Sequence, residues 1–170
     1  CWGIIGRRNT RFYNLGLARN ITLGGQDILL ETIDIINSLG FKVTYADTDG
    51  VFFKILNPNL MDCLKMILNI PPLAKEINVQ LRTKIIEKFN LRENNYAFDL
   101  GPRYVMSRCF FVSKKRYIGQ CLWEEGKIGK TNKVAGLEMR RSDAFDLLKE
   151  TQRKIMEILL DAPIPQIENR

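Results

Sequence analysis

The sequence contains the stretch Tyr45-Ala46-Asp47-Thr48-Asp49-Gly50 between two runs rich in β-branched and aromatic residues, Phe41-Lys42-Val43-Thr44-Tyr45 and Val51-Phe52-Phe53-Lys54-Ile55. Two such runs joined by a tip that contains Asp and Gly predict a β-hairpin. Side chains two residues apart on an extended chain point to the same side, so Asp47 and Asp49 are predicted to project together.

Two carboxylates at a hairpin tip suit Mg²⁺, a hard cation that takes oxygen ligands and keeps room for the oxygens of a phosphate. The alternative is a solvated turn in which Asp caps the backbone, and such tips are common in proteins. The D-x-D motif alone leaves both interpretations open, and the rest of the sequence has to distinguish them.

The composition is that of a globular protein with an acidic partner. The chain has 170 residues, 45% hydrophobic and 26% charged, enough for one domain or one domain plus a fragment of another. A net charge of +7 favours nucleic acid as the partner. The sequence has no histidine, which excludes Ser-His triads, histidine acid/base chemistry and histidine-ligated metals.

The cysteines and the hydropathy indicate the cellular compartment. Cys1, Cys63, Cys109 and Cys121 show no C-x-x-C spacing, which argues against a zinc site and a disulfide framework. We expect reduced thiols and an intracellular, cytoplasmic protein, nucleoid-associated in a prokaryote. No apolar run approaches the ~18 residues of a membrane span, and no signal peptide opens the chain, so we expect no membrane partner. Because the chain begins with Cys, we expect an excised or processed piece.

Apolar residues at helical spacing predict helices in four segments. The segments are 15–39, 60–70, 73–89 and 143–160. Gly40 is placed as the stop of the first helix, whereas Gly24-Gly25 would loosen or break it. The second helix is predicted to end before Pro71-Pro72, and Ser142-Asp143 to cap the last one.

The second half of the chain has the period of strands. Tyr104–Val112 and Arg116–Trp123 are predicted to pair antiparallel through a turn at Ser113-Lys114-Lys115. Residues 124–127 form the next predicted turn, and Gly136-Leu137-Glu138-Met139 would end another strand. The order of helix, hairpin, helices, strands and helix predicts an α+β domain with a C-terminal helical extension.

Four motifs, in order along the chain, resemble family B DNA polymerases. Phe41 to Gly50 resembles the family's palm hairpin, with the Y-A-D-T-D-G wording most similar to archaeal members. Ser113 to Tyr117 resembles its K-K-R-Y motif, and Gly136-Leu137-Glu138 with Arg141-Ser142-Asp143 resembles the passage from palm to thumb. Residues 2–22 resemble the family segment that comes after the fingers helix and its N-S-x-Y-G motif.

The resemblance implies a partial polymerase palm over residues 1–140, an antiparallel sheet with packed helices, and the start of a helical thumb over 141–170. It implies part of a DNA-directed DNA polymerase that transfers a nucleotide from dNTP to a primer 3′-hydroxyl on primer–template DNA. In the family, the second Asp of D-T-D bridges two Mg²⁺ ions. Asp49 is therefore the implied catalytic residue and metal ligand, with Asp47 in support.

The resemblance also implies nucleic-acid contacts, because the family's K-K-R-Y segment grips primer–template through phosphates and the minor groove. The implied DNA-binding residues are Thr48, Lys114, Lys115, Arg116 and Tyr117. Trp2, with Gly3, would lie beside the nascent base pair, where Trp2 replaces a family Tyr and loses its hydroxyl. The alternatives are a solvated basic turn and, for Trp2, a plain core aromatic.

Several family features lie outside this sequence: the D-x-x-S-L-Y-P motif, the fingers lysine and the proofreading domain. We therefore expect the missing N-terminal portion of the polymerase, which would share the two Mg²⁺ ions, to be a partner of a split or truncated chain that is inactive alone. Arg103 stands where many members carry an acidic residue, and Asp99 is the nearest acidic candidate upstream. The alternative function is a non-catalytic nucleic-acid-binding or scaffold subunit. A metal-dependent nuclease or cyclase would leave K-K-R-Y unexplained.

Overall fold

The computed structural model describes residues 2–48, 50–55, 60–137 and 145–161, and only the backbone of residues 60–66. The described residues confirm the α+β prediction, with helices and two antiparallel sheets. The chain divides into two compact units, Cys1–Pro102 and Arg103–Arg170. The predicted domain boundary at residue 140 lies outside the described residues and stays a prediction. No helix within the described ranges is long and apolar enough to cross a membrane.

The first unit contains helices, a β-hairpin and one 3₁₀ turn. Its elements in chain order are α1 (Trp2–Ile5), α2 (Leu15–Ser38), β1 (Lys42–Asp47), β2 (Gly50–Lys54), α3 (Leu60–Phe89) and the 3₁₀ turn Glu93–Asn95. Asn14 caps α2, since its side-chain oxygen accepts a 2.9 Å hydrogen bond from the Leu17 amide. Gly24-Gly25 does not break this helix, and Gly40, at φ 86°, follows its end as predicted.

Helix α3 corrects the prediction of two helices separated by Pro71-Pro72. The structure has one helix of 30 residues with both prolines inside it. Proline disfavours a helix interior by about 3 kcal/mol, but full burial of an aliphatic side chain is worth about 1.5–3 kcal/mol. Three α3 side chains, Ile77, Leu81 and Ile85, are at most 3% exposed and pack with α2. The summed burial along this stripe outweighs the local breaker signal.

The predicted hairpin forms between β1 and β2. The strands pair antiparallel from Lys42 opposite Lys54 to Asp47 opposite Gly50, with an irregularity between Val43 and Tyr45. Apolar side chains of the hairpin pack against the core formed by the two long helices. This packing fixes the hairpin base and so the position of its tip. The predicted turn at Asn57-Pro58-Asn59 lies outside the described residues.

The second unit is a three-stranded antiparallel sheet with one helix. Its elements are β3 (Tyr104–Ser113), β4 (Arg116–Glu124), β5 (Lys127–Ala135) and α4 (Asp146–Asp161), in the sheet order β3-β4-β5. Ile118 and Val134 of the sheet pack with Met156 and Leu160 of α4. Both predicted strands and both predicted turns are present, whereas the proposed cap at Ser142-Asp143 lies beyond the described ranges.

Candidate functional site

The hairpin tip holds Asp47 by two hydroxyl groups. The Thr48 hydroxyl donates to Asp47 Oδ1 over 3.0 Å, and the Tyr45 hydroxyl donates to Asp47 Oδ2 over 3.4 Å. Thr48 has φ 51°, in the left-handed region that a tight hairpin turn requires. Because Asp47 pairs with Gly50, only Thr48 and Asp49 connect the strands. Asp49 lies outside the described residues, so the structure gives the positions of Asp47 and Thr48 only.

The donor atoms at the tip are of the type that Mg²⁺ prefers. Asp47 offers a half-buried carboxylate and Thr48 a hydroxyl, both hard oxygen donors, and neither suits a soft metal. Within the described ranges there is no group of three or more Asp, Glu or Cys side chains placed to hold a metal ion. The donor chemistry fits magnesium.

The predicted basic turn lies at the end of the β3–β4 hairpin. Ser113 pairs with Arg116, which leaves Lys114 and Lys115 as the connection, and the cationic side chains of all three residues of the K-K-R run are exposed. Lys115 has φ 63°, a conformation that costs a non-glycine residue roughly 1–2 kcal/mol. Three adjacent exposed cations on one turn produce a local field that attracts polyanions.

Tyr117 is the first half-buried residue after the basic turn. Its ring lies 5.9 Å from the ring of Phe111 on the neighbouring strand. Burial raises the pKa of the Tyr117 phenol, and the neighbouring Tyr104 raises it further. The hydroxyl is therefore kept protonated and able to donate a hydrogen bond in neutral solution.

A second group of polar residues in this unit was not predicted from the sequence. The Lys133 ammonium makes a short ion pair with the Glu124 carboxylate, and its Nζ lies 4.6 Å from the centre of the Tyr104 ring. The hydrogen bond to Glu124 raises the pKa of Lys133. The residues come from three different strands, so only the strand register, which the sequence does not reveal, brings them together.

The two residues considered for the missing acidic position lie in different units. Arg103 Nε is 3.4 Å from Glu125 Oε1, and its guanidinium lies 5.4 Å from the Tyr104 ring centre. Asp99 Oδ1 accepts a 2.7 Å hydrogen bond from the Asn78 side chain. Arg103 thus has an acidic neighbour in Glu125, and Asp99 is part of the contact between α3 and residues 99–100.

Trp2 and Gly3 lie in the short helix α1 of the first unit. The Trp2 side chain is 55% exposed, which argues against the plain core alternative. An added Cβ at Gly3 would meet no atom within 4 Å. The tip residues also belong to the first unit, whereas the basic turn belongs to the second.

Comparison with known proteins gives consistent matches over nearly the whole chain. A family model described as DNA polymerase family B matches residues 1–167. A DNA polymerase of Archaeoglobus fulgidus is 30% identical over 165 residues, which cover 97% of this chain and 18% of that protein. A DNA polymerase of Thermococcus kodakarensis is 32% identical over 160 residues, covering 94% of this chain and 8% of that protein. DNA polymerase 2 of Aeropyrum pernix is 32% identical over 160 residues, with shares of 94% and 16%. The chain therefore spans less than a fifth of the length of these relatives.

Proposed function

This chain belongs to DNA polymerase family B, and we propose that it forms part of the active region of a DNA-directed DNA polymerase of archaeal type. Residues 1–140 would be part of the palm, and residues 141–170 the start of the thumb. The observation that carries the proposal is the family match over residues 1–167, which includes a hairpin tip of only two residues, Thr48 and Asp49.

Asp49 is the principal metal ligand in this proposal, and Asp47 supports it. The hydroxyls of Tyr45 and Thr48 contact different oxygens of Asp47, which restricts rotation of that carboxylate. A carboxylate fixed in this way suits a supporting role, since the orientation of neighbouring ligands depends on such contacts. Mg²⁺, when bound, would neutralise charge on the transferring phosphoryl group.

The basic turn is the proposed contact with primer–template DNA. Lys114, Lys115 and Arg116 would bind backbone phosphates, which supply affinity without sequence preference. Tyr117, protonated at neutral pH, could donate a hydrogen bond to the duplex, and Thr48 at the hairpin tip would lie near the primer end. Exposed Trp2, with Gly3, would contact the nascent pair formed with the incoming dNTP.

Polymerase activity is proposed for an assembly larger than these 170 residues. The chain spans 18% of the Archaeoglobus protein and 8% of the Thermococcus protein, and the resemblance implies a second metal-binding Asp on another part of the palm. Catalysis of phosphoryl transfer consists almost entirely of positioning and charge stabilisation. We therefore expect no primer extension by this chain unless the polypeptide that carries the remaining family motifs is present.

Primer extension with Mg²⁺ tests the proposal, using this chain together with that polypeptide. Asp49→Asn should lower the extension rate by at least about 10²-fold, the usual effect of losing one group that stabilises transition-state charge. Asp47→Asn should lower it by about tenfold, as expected for a residue that orients a ligand. Asp27→Asn, which alters only a 3.6 Å surface ion pair with Lys88, is the matched control and should leave the rate unchanged.

The possible outcomes separate catalysis from simple DNA binding. Equal rates for Asp49→Asn and the parent would refute the metal assignment. Extension by the isolated chain would refute the proposal that the site is shared with another part of the polymerase. A folded mixture that binds primer–template without extending it would favour the non-catalytic subunit.

A further inference from the structure

Gly136, the residue after β5, lies directly against the backbone of the basic turn. It has φ 64° and belongs to the described part of the second unit. A Cβ built on Gly136 would overlap the Lys115 carbonyl oxygen and would lie 3.1 Å from Arg116 Cγ and 3.2 Å from the Lys115 carbonyl carbon. Any side chain at this position must therefore displace the turn, the end of β5, or both.

The strand register explains why these two distant segments meet. Tyr117 on β4 pairs with Ala135 on β5, so the next residue along β5 lies beside the residues that precede Tyr117. The contact involves main-chain atoms of Lys115, which cannot be moved away by changing a side-chain rotamer. Gly136 is thus packed against the turn itself rather than against its flexible lysine side chains.

The turn needs such support because Lys115 is in the left-handed region, at φ 63°. Strained backbone conformations of this kind persist only where the surrounding structure holds them, and they are frequent at binding sites. The backbone at Gly136 limits the space into which the Lys115–Arg116 peptide can rotate. A fixed turn also loses less conformational entropy when its cations bind a ligand.

We propose that Gly136 is a positioning residue for the basic turn, and that the absence of a side chain there fixes where the turn presents its cations to DNA. The inference rests on the proposed role of Lys114, Lys115 and Arg116 in binding primer–template. It adds a residue outside the turn that determines the affinity without contacting DNA. The variant Gly136→Ala should move the turn and remove at least one of its phosphate contacts.

Gly126 provides a matched control in the same sheet. It also has a positive φ, 92°, in the turn between β4 and β5, but an added Cβ there would meet no atom within 4 Å. Gly126→Ala and Gly136→Ala therefore carry the same kind of backbone strain, and only Gly136→Ala collides with the basic turn. Gly136→Asn is a second variant, because Asn tolerates positive φ but keeps the colliding Cβ.

The experiment measures binding of a fluorescent primer–template duplex to the full chain by anisotropy, at several salt concentrations, after circular dichroism has established folding. Loss of one phosphate contact reduces the slope of log K against log salt by about 0.9, which corresponds to about eightfold weaker binding at 0.1 M salt. We expect this loss for Gly136→Ala and Gly136→Asn, and parental binding for Gly126→Ala.

The lysine variant Lys114→Ala/Lys115→Ala distinguishes this inference from the proposed function. If that variant binds like the parent, the turn does not bind DNA and the proposed function fails at this point. If it binds weakly while both Gly136 variants bind like the parent, only the Gly136 inference is overturned. Equal losses for Gly126→Ala and Gly136→Ala, or unfolding of both Gly136 variants, would assign Gly136 to stability and also overturn it.

Discussion

Replacing Lys114 and Lys115 by alanine should weaken DNA binding in a way that depends strongly on salt. Both side chains are exposed at the end of a hairpin, so their removal leaves the packing of the sheet intact. Alanine at position 115 keeps the positive φ that lysine has there, so the backbone strain changes little. The variant therefore reports mainly on the two charges.

The size of the effect is set by counterion release. Each phosphate contact contributes a slope of about −0.9 to log K against log salt for duplex DNA, so two contacts contribute about −1.8. Relative to 1 M salt, two contacts strengthen binding by about 60-fold at 0.1 M. The parent-to-variant ratio of affinities should fall from about 200 at 50 mM salt to about 20 at 200 mM.

Fluorescence anisotropy with a primer–template duplex at 50, 100 and 200 mM KCl measures both the affinity and the slope. The control is Lys130→Ala/Lys154→Ala, which changes the net charge equally. Both control residues are exposed in the second unit, Lys130 3.8 Å from Asp161 and Lys154 2.9 Å from Glu150. We expect the control to change the slope by much less. An identical slope for both double variants, or an unchanged slope for Lys114→Ala/Lys115→Ala, would refute specific phosphate contacts at the turn.

The remaining predictions concern α3 and a buried thiol. Pro71→Ala and Pro72→Ala should each raise the free energy of unfolding by about 2 kcal/mol in urea denaturation, since helix propensity favours alanine by about 3 kcal/mol and the freer unfolded chain offsets about 1; a decrease would show that the helix does not run through both prolines. Burial and the nearby Cys121 raise the pKa of Cys109 to about 11, so its alkylation by iodoacetamide at pH 8 should be about 100-fold slower in the folded chain than in urea. The contribution of this thiol to stability is present below about pH 9 and is lost as the pH rises towards 11; equal alkylation rates with and without urea would contradict the assignment.

The sequence predicted those elements whose local pattern agrees with their environment. Helix α2 has both a capping residue and a continuous apolar face, and β1–β2 has a turn motif between two strand-forming runs. Strand β5 was predicted only by its end, because six of its nine residues, from Lys127, are exposed in succession and give no alternating apolar pattern. It forms because its backbone pairs with β4 along almost its whole length.

The candidate site was predictable where the residues are consecutive and not where strands bring them together. The tip and the basic turn are continuous motifs, so their residues were identified by position alone. The Lys133–Glu124 ion pair and the contact of Gly136 with Lys115 depend on the registers of β3, β4 and β5. A one-residue change of register would move these side chains to the opposite face of the sheet.

The prolines of α3 also determine how this helix can open. Proline has no amide hydrogen, so Pro71 and Pro72 leave the carbonyls of Ile67 and Leu68 without their usual donors four residues later. Two successive rungs are absent from the hydrogen-bond ladder, and cooperative propagation of helix is interrupted there. The segment after the prolines is held by the packing of Ile77, Leu81 and Ile85 in the core. The helix is continuous in shape but divided in cooperativity, so its first turns can unfold and refold while the part that supports the hairpin remains in place.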